Sequence, residues 1–106
     1  MPRVGSMLNK SIVARLVAKP GKEEEVAAFL AGALPLAEEE SFMPVWFALR
    51  VGSDVFYIFD AFASDEGRDQ HLTGKIASAL MAKAGELLAE ASAIEKADVL
   101  AAKVKL

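Results

Sequence analysis

Asp60 and His71 are the two residues of this chain best suited to acid–base chemistry. Asp60 stands inside the apolar run Tyr57-Ile58-Phe59-Asp60-Ala61-Phe62, and His71, the only histidine, follows Phe62 by nine residues. A carboxylate in such a run must find a partner or take up a proton, because burying it unpaired is costly. One reading is structural, with Asp60 bonded to Arg15, Arg50 or a backbone amide. The other is functional, with Asp60 positioning a substrate hydroxyl or acting as a base. His71 is the one side chain that titrates naturally near neutrality, although a lone histidine also serves as an ordinary surface or satisfied residue.

The surrounding stretch, Met43 to His71, supplies walls for a pocket. It holds the only Trp, the only Tyr and four of the six Phe. Alternation along a strand puts Trp46, Ala48 and Arg50 on one side, and Phe56, Ile58, Asp60 and Phe62 on one side of the next. Trp46, Phe56 and Phe62 are therefore candidate walls. Arg50 is a candidate anion-binding group, or a solvated charge at a strand end. No Ser-His-Asp constellation, phosphate-cradling glycine loop, or flavin or nicotinamide fingerprint is present.

The elements that must position these residues follow from hydrophobic period and punctuation. Lys10 to Lys19 reads as a strand apolar on both faces, ended by Pro20-Gly21. Glu23, Glu24 and Glu25 open a helix, as suits the positive end of a helix dipole. Its stripe runs through Val26, Phe29, Leu30, Ala33, Leu34 and Ala37, with a break expected near Gly32 because of Pro35. The triplet Glu38-Glu39-Glu40 reads as a solvated face. Met43–Val51 and Asp54–Phe62 read as strands joined by a two-residue turn, Gly52-Ser53. Ser64 reads as an N-cap for a short helix carrying Arg68, His71 and Leu72, and Thr73-Gly74 as a bend. A longer helix spans Lys75 to Leu88, and Ser92 to Leu106 reads as a last strand. The order β-α-β-β-α-β is the ferredoxin-like α+β arrangement: an antiparallel four-stranded sheet with helices on one face.

Composition bounds the rest. A chain of 106 residues that is 54% apolar is one small domain with more apolar surface than it can hide alone. Residues 1–9 read as an N-terminal extension and 10–106 as the domain. Helices cover one side of the sheet, so a second copy of the chain is the expected cover for the other, giving a homodimer. A net charge of -3 without a basic block argues against nucleic acid. The lack of cysteine and the single histidine argue against a Cys-based or multi-His metal centre. No apolar run reaches membrane-spanning length and no signal peptide is evident, so the expectation is a soluble cytoplasmic protein.

The span from Ser11 to about Leu88 resembles the antibiotic biosynthesis monooxygenase family. The features that carry the resemblance are a strand ending in Lys19-Pro20-Gly21-Lys22 before an acidic helix start, an aromatic-rich strand ending at Arg50, the acid–aromatic pair Asp60 and Phe62, and His71-Leu72 nine residues on. The resemblance implies a dimeric α+β barrel. It further implies a cofactor-independent oxygenase acting on a small, flat, apolar phenol or quinol, with no metal. In that reading His71 is base or orienter and Asp60 is its partner or a substrate acceptor. Trp46, Phe56 and Phe62 are then walls, and Arg50 stabilises the anion. The family typically has Glu and Trp where this chain has Asp60 and Phe62, and the haem-degrading branch needs that Trp. The alternative is a non-catalytic small-molecule-binding or scaffold dimer of the same fold.

Overall fold

The computed structural model describes residues 8–105, so most of the expected N-terminal extension lies outside the described residues. Eight elements follow in order: β1 (Lys10–Val17), α1 (Glu23–Gly32), α2 (Leu34–Glu39), β2 (Val45–Val51), β3 (Val55–Phe62), α3 (Asp65–Leu72), α4 (Lys75–Leu87) and β4 (Ala93–Asp98). The strands form one antiparallel sheet in the order β2-β3-β1-β4. This is the ferredoxin-like arrangement the sequence leads one to expect. Among the described residues no helix is long and apolar enough to cross a membrane.

Register sorts the strand residues into rows. Trp46, Asp60, Ile12 and Lys96 form one row across all four strands. Arg50, Phe56 and Leu16 form another, four residues along, or about 13 Å at the usual strand rise. Both rows lie on the helix-covered side, where Ile12, Ala14, Leu16, Phe56, Ile58 and Phe62 are buried. The core there has two parts. The larger centres on Leu16, Val26, Leu30, Phe56 and Leu80, and the smaller on Ile12, Ala37, Met43, Phe62 and Ile76, with Trp46 packed against both.

The opposite side of the sheet is apolar and uncovered over much of its area. Phe47, Leu49, Val51 and Phe59 are exposed there, and the Phe47 and Phe59 rings stack with centroids 6.3 Å apart.

Two expectations on boundaries are met and two are refined. The helix breaks where Pro35 dictates, since its missing N–H is harmless only in a first turn, and α2 begins one residue before it. Gly21, at φ +85°, turns the chain from β1 toward α1. The β2–β3 turn has three residues rather than two, because Val51 pairs with Val55 and Asp54 stays outside the ladder. The last strand is shorter than Ser92–Leu106: β1 begins at Lys10, whose partner is Asp98, and past that rung the Val99 N–H bonds the Asn9 carbonyl at 3.0 Å. Val99 and residues 101–105 instead flank a cleft of 530 Å³ on the open face, with Phe47 and Phe59 on its other wall.

Candidate functional site

Asp60 is buried completely on the helix-covered face. Its Oδ1 accepts from the Ile12 N–H at 3.0 Å, and its Oδ2 lies 3.2 Å from His71 Nε2, close enough for an ion pair though off the axis of the ring N–H. Neither Arg15 nor Arg50, the structural partners considered from sequence, takes part. Arg15 pairs with Glu90 at 3.2 Å, and Arg50 pairs with Glu24 at 2.7 Å.

The second nitrogen of His71, Nδ1, is 2.8 Å from Glu40 Oε1. His71 is thus held between two carboxylates, its side chain 8% exposed and that of Glu40 10%. The Phe62 ring closes one side, with centroids 5.6 Å apart. Burial alone works most strongly against the imidazolium. The bonds and charges of Asp60 and Glu40 together outweigh it, so the His71 pKa is raised above its ordinary 6.5.

Three local features bring the group together. Ser64 caps α3 by accepting from Gly67 N–H at 3.1 Å, which fixes where the helix starts after β3 and hence the angle at which His71 arrives. Gly67 lets α3 approach the α2–β2 connection, since a Cβ there would stand 3.0 Å from the Phe42 carbonyl oxygen. Glu40 follows the last residue of α2, and its backbone leaves the helix at φ -87°, ψ 86°. The reading of Glu38-Glu39-Glu40 as one solvated face is therefore corrected. Glu38 and Glu39 are exposed, but Glu40 turns inward. A signal for this stood in the sequence. The buried stripe Val26, Leu30, Ala33, Ala37 advances by steps of four, three and four, and the next step of three falls on Glu40.

The six residues singled out from sequence divide between two places. Asp60, His71, Phe62 and Trp46 share the end of the sheet that carries the buried cluster. Trp46 is the cross-strand neighbour of Asp60 and its Nε1 is buried with no partner among the described residues. Arg50 and Phe56 sit at the other end, where the guanidinium lies 5.2 Å over the Phe56 ring and bonds to Glu24 and the Ser53 carbonyl. Their assignment to the His71 site is corrected on that ground, as the turn and α1 already hold Arg50 in place.

Two clefts reach Glu40 from outside. One of 430 Å³ is lined by Leu34, Ala37, Met43 and Trp46, the other of 370 Å³ by Leu36, Phe42, Gln70 and Lys75. Among the described residues no three acids, histidines or cysteines are grouped to hold a metal ion. Asp60 and Glu40 face opposite nitrogens of one imidazole instead of converging on a point.

Fold and site together define a ferredoxin-like α+β domain with a buried acid–histidine–acid cluster beneath its helices. No protein-family model and no curated protein matches the chain. Among solved structures, a protein of unknown function from Nitrosomonas europaea is 51% identical, over 96% of this chain and 99% of that one, with a TM-score of 0.93. The chain belongs to the same family as that protein. Its fold is also that of a protein from Caulobacter crescentus described as a "putative antibiotic biosynthesis monooxygenase", at 22% identity over 88% of this chain and 91% of that one, TM-score 0.76. A Mycobacterium tuberculosis protein is similar at 18% identity, covering 91% and 99% of the two chains, TM-score 0.80. The resemblance to the antibiotic biosynthesis monooxygenases thus holds at the level of fold.

Proposed function

We propose that the protein is a cofactor-independent monooxygenase acting on a small aromatic quinol or phenol, working as a cytoplasmic homodimer of one domain spanning residues 10–106. The observation that carries this reading is the buried chain Asp60–His71–Glu40 beside the aromatic walls Trp46 and Phe62. A water-poor, partly apolar site suits a flat substrate, and a carboxylate–imidazole–carboxylate chain suits the removal of a phenolic proton. The electron-rich anion then reacts with dioxygen. For a quinol the balance closes without a cofactor: one oxygen atom replaces a ring hydrogen to give the hydroxyquinone, and the other leaves as water. The apolar open face of the sheet, with Phe47, Leu49, Val51 and Phe59 exposed, supports the homodimer.

A second reading, a non-catalytic small-molecule-binding dimer, draws on a single fact. Both ring nitrogens of His71 face carboxylates, so the imidazole offers no free nitrogen to a ligand. Oxygen uptake with a panel of quinols separates the two. The oxygenase reading expects consumption of at least one quinol, with a loss of about a hundredfold or more in the rate for His71→Ala and Asp60→Ala. Binding without oxygen uptake across the panel would leave the second reading.

A further inference from the structure

The geometry points to Glu40 as the residue that meets the ligand, taking a hydroxyl proton from an aromatic bound in the cleft between the end of α2 and the α3–α4 junction. This rests on the phenol or quinol reading above, but changes which side chain does the work and where the ligand sits. His71 is enclosed on both nitrogens and cannot touch a ligand. Glu40 has one oxygen, Oε1, on His71 and its second, Oε2, buried without a partner among the described residues. A buried carboxylate oxygen without a donor is an acceptor in want of one.

The position of Oε2 selects the cleft. It lies 3.6 Å from where a side chain on Gly74 would begin, a point that also stands 3.2 and 3.3 Å from the Gln70 and His71 carbonyl oxygens, so Gly74 borders that oxygen. Gly74 lines the 370 Å³ cleft and not the 430 Å³ one. Leu36 and Phe42 give the cleft apolar walls, and Gln70, Thr73 and Lys75 give it polar ones. The charged and titratable groups around Glu40 are His71 from α3, Asp60 behind it on β3, Glu39 beside it, and Lys75 from α4, which bonds Glu39 at 3.5 Å.

In the step, the phenolic O–H bond breaks and an O–H bond forms at Glu40 Oε2, while the electron pair stays on the phenolic oxygen. Glu40 is the catalytic residue in this scheme. His71 and Asp60 are positioning residues that fix the carboxylate from behind.

The test uses 4-nitrophenol and its methyl ether, 4-nitroanisole, with binding followed by calorimetry and by amide shifts in nuclear magnetic resonance. A carboxylate only accepts, so the wild-type protein should bind the neutral phenol at least about tenfold more tightly than either the phenolate or the ether. Shifts should centre on Leu36, Phe42 and Gln70 to Lys75. Glu40→Gln, whose amide can donate as well as accept, should lose that preference for phenol over phenolate, and Glu40→Asp should restore part of it. Glu24→Ala, in the surface pair at the other end of the sheet, should leave binding unchanged. Equal affinity for phenol and ether, an unchanged preference in Glu40→Gln, shifts centred on Trp46 and Met43, or no binding of the phenol would each overturn the inference. Oxygen uptake measured alongside keeps the two levels apart. Uptake that survives in Glu40→Gln defeats Glu40 but not the oxygenase, whereas Glu40-dependent phenol selection without uptake defeats the oxygenase but not Glu40.

Discussion

The two ends of the helix-covered sheet face carry the same ingredients and treat them differently. At one end an acid, Asp60, sits among Trp46, Phe62 and Ile12. At the other a base, Arg50, sits against Phe56. Asp60 lies in an inner strand with neighbours on both sides, and α3 closes over it. Arg50 lies on the edge strand β2, where its long side chain reaches past Phe56 to Glu24 and to water. A charge in an apolar run therefore becomes a buried site or a surface clasp according to its strand's place in the sheet.

The comparison can be broken most forcefully at the buried end. Asp60→Ala leaves the Ile12 N–H without its acceptor and the imidazole without its ion-pair partner, and urea unfolding should show a loss of about 3–5 kcal/mol. A loss within the error of the measurement would mean that Asp60 is not held as described. His71→Gln comes next. It removes the cation between two buried carboxylates, with an expected loss of about 2–3 kcal/mol at pH 6, set by the penalty for leaving a buried charge unpaired.

The same variant sharpens the comparison through pH. The folded state raises the His71 pKa, so this group's contribution to stability is complete below about 6.5 and is lost as pH rises through the higher folded value. Unfolding midpoints of the wild type should fall across that interval, and those of His71→Gln should not follow them. At the exposed end, Arg50→Ala or Glu24→Ala should leave the midpoint nearly unmoved despite the 2.7 Å contact, because solvent screens a pair of this kind. Opposite both ends, Phe59→Asp on the open face should convert the proposed dimer to an 11.3 kDa monomer in sedimentation, with the Asp60 cluster intact.

The sequence revealed the fold more fully than the site. Period-two alternation and the Pro20-Gly21 and Ser64 signals were enough to order the elements, since each is a local effect. The pairing of Asp60 with His71 was legible only through the family resemblance, whose acid–aromatic–histidine spacing sets the two residues together. Glu40 was hidden by its neighbours: two solvated glutamates precede it, and only the helical step from Ala37 marks it as inward. Arg50 misled for the opposite reason. Alternation places it on the same face as Trp46, but says nothing of its distance along the strand from Asp60 or of Glu24 waiting on α1.

The central claim is that the single histidine is clasped by Asp60 and Glu40, and a nitrogen-15 nuclear magnetic resonance titration tests it most directly. With one histidine in the chain the signal has a single source. The account predicts an imidazole titrating above 6.5 in the wild type and lower in both Asp60→Asn and Glu40→Gln. A His71 that titrates at or below 6.5, and stays there in both variants, would contradict it.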